Sequence, residues 1–150
     1  KAFASRQTVR VAGRMAALLS TFGVDSERKF LGLMPLGNSS HAHEYRLLFA
    51  APELDEQALE DWWVYACEAE RELVKPDASH EFSIVSLILA TGTVDKAVQK
   101  KLKKLTGGRD FSSMGRGWSS VRIAAVGLDE HKAYTNRMGD ALKNILKPIL

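Results

Sequence analysis

The sequence predicts one α/β domain, residues 1–150, built on a small mixed sheet of about four strands in the order α-β-β-α-β-α-β-α. Three observations lead there. A chain of 150 residues with 45% hydrophobic and 26% charged residues has the size and composition of one globular unit. Phe82 to Ala90 is almost continuously apolar and rich in branched side chains, as in a strand covered on both faces. Segments with helical spacing alternate with strand-like runs on either side of it.

From Ser5 to Phe22 the apolar residues Val11, Met15, Leu18, Leu19 and Phe22 fall at helical intervals, with Arg6, Arg10 and Arg14 four apart on another face. Gly23 ends this first helix. Lys29 to Leu36 and His43 to Ala50 read as two strands joined by a Gly37-Asn38-Ser39-Ser40 turn. Pro35 makes the first of them an antiparallel edge, because proline cannot donate to a central ladder.

Asp55 caps a second helix that runs to about Val74. Leu59, Trp62, Trp63, Ala66, Ala69 and Leu73 form its buried stripe, although two adjacent tryptophans cannot both point inward. Phe82 to Ala90 is the third strand. Thr91-Gly92-Thr93 then opens a short helix with Val94, Val98, Leu102 and Leu105 inward and Thr93 as its cap. A Gly/Ser-rich connection, 106–119, precedes the strand Ser120 to Gly127, and Asp129 caps a last helix. Helices between strands 2, 3 and 4 imply right-handed crossovers and parallel pairing of those three.

Charge is unevenly distributed. Residues 1–75 carry 9 basic and 11 acidic side chains, whereas 76–150 carry 12 and 7. Glu53 to Glu72 holds eight carboxylates and one arginine; Lys96 to Arg122 holds eight basic residues and only Asp110. Such separation steers polyanions to one face. The only cysteine, Cys67, excludes an internal disulfide and a multi-cysteine zinc site, and fits a buried small hydrophobe in a cytoplasmic protein. No apolar run approaches the roughly 20 residues that cross a bilayer, so no membrane partner is expected. The first residue is Lys, as in a processed chain or a piece of a longer one.

The leading functional expectation is a non-enzymatic binding or accessory domain for nucleic acid or another polyanion. Lys96, Lys100, Lys101 and Lys104 supply attraction, and Arg109, Arg116 and Trp118 in the glycine-rich loop make closer contacts, guanidinium to phosphate and ring to base. The plainer reading of those lysines is a solvated helix face. An alternative is a small-molecule enzyme or sensor with a phosphate or carboxylate site at the C-terminal strand edge, formed by Thr91, Gly92, Thr93 and Lys96 with Asp129 and Glu130. Against it, the chain has no phosphate-loop or dinucleotide fingerprint, and no cofactor is expected.

A second alternative is an oligomerisation or protein-interaction module that pairs the acidic helix with a basic surface, through a protein partner or self-association. His41, His43, His80 and Glu81, with Asp77 nearby, sit at strand entrances, where surface histidines explain them better than a metal site. A metal-dependent nuclease motif opening on Pro76-Asp77 and Glu81 fails at Ser83, where a lysine would stand. No Gly-x-Ser-x-Gly elbow is present.

Overall fold

The computed structural model describes the backbone of residues 4–30 and 34–150 and the side chains of 4–23 and 40–150. The α/β class stands, but the expected four-stranded arrangement does not. The sheet has six strands in sequential order: β1 (Ala4–Val11), β2 (Arg14–Phe30), β3 (Met34–Ala50), β4 (His80–Thr91), β5 (Trp118–Gly127) and β6 (Lys132–Thr135). Pairing is antiparallel for β1–β2, β2–β3 and β5–β6, and parallel for β3–β4 and β4–β5. Antiparallel strands therefore close both ends of a short parallel centre.

The largest correction concerns residues 5–22, where two antiparallel strands replace the expected helix. Val11 pairs with Arg14, so the chain reverses over Ala12 and Gly13, whose φ values are +46° and +83°. Positive φ at both central residues is the turn that matches strand twist, and it is hard to see in sequence when alanine takes the first position. The helical stripe dissolves accordingly: Val11 and Leu19 are buried, but Met15 is 48% exposed. Gly23, expected to stop a helix, continues β2.

The expected strand Lys29–Leu36 is divided between β2 and β3, and its centre, 31–33, lies outside the described residues. Gly37 to Ser40 belong to β3 instead of a turn. Pro35 fits there because residues 34–40 of β3 pair with β2, while pairing to β4 starts at His41.

Helix α1 (Glu56–Leu73) starts at Asp55, whose carboxylate accepts from the Ala58 N–H. Helix α2 (Lys96–Lys104) is capped by Asp95 rather than Thr93. Asp129 caps no helix. It lies in the β5–β6 turn, and the last helix, α3, is only seven residues long (Asp140–Leu146).

Alternation along the strands splits the sheet into two unlike faces. On the first, Leu47, Leu87, Leu89, Val121 and Ile123 pack under α1 and α2 through Leu59, Ala66, Val98 and Leu102. Tyr65 is held there by its hydroxyl, which donates to the Val11 carbonyl at 2.8 Å. On the second, Ile88, Ala124 and Val126 pack against Leu142 and Leu146 of α3. An α1 of 18 residues runs about 27 Å, but seven-residue α3 covers only about 10 Å. Because 12-residue β4 extends about 40 Å, much of the second face has no helix over it. Among the described residues no helix is long and apolar enough to cross a membrane.

Candidate functional site

The cations expected to form one patch divide into groups with different duties. Arg109 is structural: its Nε donates to both oxygens of Glu70 at 2.8 and 2.9 Å, and its Nη2 donates to the Val74 carbonyl. Glu70 on α1 is only 2% exposed, and Ser119 Oγ also donates to it at 2.7 Å. Lys101 pairs with Glu60 at 2.8 Å. The acidic helix is thus partly neutralised within the chain. Lys96, Lys100 and Lys104 remain exposed on α2, and Arg116 is half-buried with a long contact to the Pro76 carbonyl.

The 106–119 connection carries more structure than its composition suggests. Asp110 bridges Trp118, Ser112–Met114 form a single 3-10 turn, and Phe111 is buried. Gly117 has φ +74°, and a Cβ there would lie 1.8 Å from the Glu81 carbonyl oxygen, so only glycine fits. Trp118 is 42% exposed and stacks on Phe82, with ring centroids 5.1 Å apart and planes within 14°. By alternation with the inward Val121 and Ile123, Trp118 lies on the second face, the opposite layer from α2.

At the C-terminal strand edge, the candidate ligand groups bind one another. Glu130 accepts from the Val94 N–H at 2.7 Å and from the Tyr134 hydroxyl at 2.6 Å. The Tyr134 hydroxyl and the Val94 N–H hold the Glu130 carboxyl below its usual range. The Asp129 N–H bonds the Gly92 carbonyl, the Leu128 N–H bonds the Thr91 carbonyl, and Thr91 Oγ1 reaches Pro52. These contacts tie the β5–β6 turn to the β4–α2 turn.

The histidines converge on the opposite edge. His41, His43, Asp77, His80 and Ser83 line a cavity of about 120 Å³. His80 is 6% exposed, with Nδ1 2.5 Å from the Arg116 carbonyl and Nε2 2.7 Å from Ser83 Oγ. A carbonyl only accepts, so Nδ1 donates to it, while Nε2 shares a hydrogen bond with the Ser83 hydroxyl. His80 therefore anchors the loop end. Ser79 donates its N–H and hydroxyl to Asp77, which draws that carboxyl below its ordinary range. Among the described residues, no group of three or more His, Cys, Asp or Glu side chains has the arrangement to hold a metal ion.

The group that sequence reasoning missed lies on the uncovered half of the second face. Ser20, Arg46, Ser86 and Arg122 form one row across β2, β3, β4 and β5, each paired with the next. The adjoining row contains Phe22, Glu44, Ile84 and Ser120, and the row beyond that contains Phe82 and Trp118. Arg46 binds Glu44 through Nε at 3.0 Å and Nη2 at 2.9 Å. Ser86 is 0% and Ser120 3% exposed. Among the described residues, neither hydroxyl nor the Arg122 Nε has a hydrogen-bond partner.

Burial pushes the Arg122 guanidinium below its ordinary pKa, and nearby Glu44 opposes that effect. Buried donors left without acceptors are costly, at about 1–3 kcal/mol each, and are uncommon in native structures. The signal was present as polar residues at period two inside otherwise apolar strands: Glu44/Arg46, Ser86 and Ser120/Arg122. It was obscured because Ser86 looked like a single interruption in an apolar run.

Fold and site together define a mixed-sheet α/β domain with one helix-covered face and one half-open, donor-rich face. The chain belongs to the family described as a domain of unknown function, DUF8052, whose model matches residues 1–148. No curated protein and no solved structure matches it.

Proposed function

We propose that this chain is a non-enzymatic binding module for nucleic acid or another polyanion, and that the contact surface is the open half of the second face. The carrying observation is the convergence of Arg122 Nε, Ser86 Oγ and Ser120 Oγ, three buried groups able to donate and without an acceptor among the described residues. Arginine cannot accept a hydrogen bond, and anionic oxygens are the strongest partners for it. Trp118 keeps the stacking role expected from sequence, now on the same sheet face as Arg122 and Arg46, two rows away.

The α2 lysines, Lys96, Lys100 and Lys104, lie in the other layer and contribute attraction at longer range, which salt screens beyond about 8–10 Å. A cytoplasmic setting belongs to this reading, in keeping with a single cysteine whose thiol burial pushes upward.

The test is fluorescence anisotropy of a labelled oligonucleotide at 50, 150 and 300 mM salt, with Arg122→Ala, Arg46→Ala and the pair Lys100→Ala/Lys104→Ala. Binding is expected to weaken linearly in log–log form with salt. Arg122→Ala should cost about tenfold, and the lysine pair should mainly flatten the salt slope. Equal affinity of Arg122→Ala and the parent chain, or no binding at 50 mM salt, would refute the proposal.

A further inference from the structure

We infer that the open face takes single-stranded nucleic acid: a base on Trp118 and a backbone phosphate on Arg122. This rests on the polyanion reading above and narrows it to one class of strand.

Spacing supports the pairing of those roles. Trp118, Ser120 and Arg122 succeed one another on the same side of β5 in steps of about 6.6 Å, so Trp118 and Arg122 stand about 13 Å apart along the strand. Ser86 lies directly opposite Arg122 on β4. A ring and an anionic group held at the two ends of this ladder fit one extended ligand, as the bases and phosphates of a strand do.

Charge narrows the choice further. Among the described residues of these rows, Glu44 and Arg46 neutralise each other through their 2.9 and 3.0 Å contacts, and Arg122 adds one positive charge. One phosphodiester carries one negative charge, so the complement is a single backbone link. Denser polyanions bring several charges to a site with one to offset.

The aromatic pair selects against a duplex. Phe82 supports one side of the indole, and 42% of Trp118 stays exposed. Bases in a duplex are already stacked and paired, whereas unpaired bases stack on aromatic side chains with little sequence preference. A sheet face with stacking rings and flanking arginines suits a splayed strand.

The experiment compares four labelled or competing ligands on the whole chain: a single-stranded 12-mer, the same sequence as duplex, an abasic 12-mer that keeps the backbone, and heparin. The single strand is expected to bind at least tenfold tighter than the duplex and the abasic strand. Trp118→Ala should erase the advantage over the abasic strand, and Arg122→Ala should weaken both. Trp118→Phe, which preserves a ring against Phe82, should retain part of the advantage, and circular dichroism checks that each variant folds. Equal binding of all four ligands would overturn the single-strand inference but leave the polyanion reading standing. Binding of none of them would overturn both.

Discussion

Arg109→Ala should destabilise the fold by about 3 kcal/mol, because it leaves a buried carboxylate without its cation. Glu70 is 2% exposed and has three charge-assisted or polar contacts: two from Arg109 Nε at 2.8 and 2.9 Å and one from Ser119 Oγ at 2.7 Å. Truncation removes the first two, together with the Nη2 bond to the Val74 carbonyl and the guanidinium packing over the Phe111 ring at 4.8 Å. Breaking a buried ion pair from one side costs about 3–5 kcal/mol. The Arg109 side chain is 36% exposed, so water reaches the vacated position and the lower end applies.

A loss of that size takes a large part of a typical total of about 5–15 kcal/mol, and lowers the melting temperature by about 6–12 °C in a chain of this length. Urea denaturation followed by circular dichroism reads it directly. Adding Glu70→Gln to Arg109→Ala should recover about 1 kcal/mol or more, since the orphaned charge is then gone. A denaturation midpoint for Arg109→Ala within about 0.5 kcal/mol of the parent would refute this reasoning.

Two further outcomes follow from local geometry. Gly117→Ala should unfold or severely destabilise the chain, because its Cβ would meet the Glu81 backbone, whereas Gly13→Ala has open space at φ +83° and should cost only about 1 kcal/mol; thermal melts of the two variants give the ratio. Burial and the Glu72 carboxylate push the Tyr65 hydroxyl up to about 12. A phenol raised in the folded state contributes stability that is complete below its ordinary 10.0 and is lost as pH rises through about 12. A tyrosinate absorbance titration should therefore lose its latest component in Tyr65→Phe.

Legibility in the sequence followed how local each signal was. The buried strands at 82–90 and 120–127 and the helix capped by Asp55 could be read directly, since continuous branched apolar residues and a capped amphipathic stripe carry their own evidence. Residues 5–22 could not, because the same apolar residues satisfy a helical period and their strand state depends on β3 as a neighbour. For the site, Trp118 was visible as an aromatic in a glycine-rich loop. Arg109 was visible too, but its role depended on Glu70, which is 39 positions away in sequence.

By itself, then, the sequence determined the α/β class, the apolar centre of the sheet and the capped first helix, through composition, branching and caps that act within a few residues. Tertiary structure decided the six-stranded pairing, the assignment of Arg109 to a buried carboxylate and the gathering of Arg46, Ser86, Ser120 and Arg122 in adjoining rows of one face. The physical reason is that strand partners and cross-strand rows arise from hydrogen bonds between distant segments. No local pattern encodes which rows a short last helix will leave uncovered.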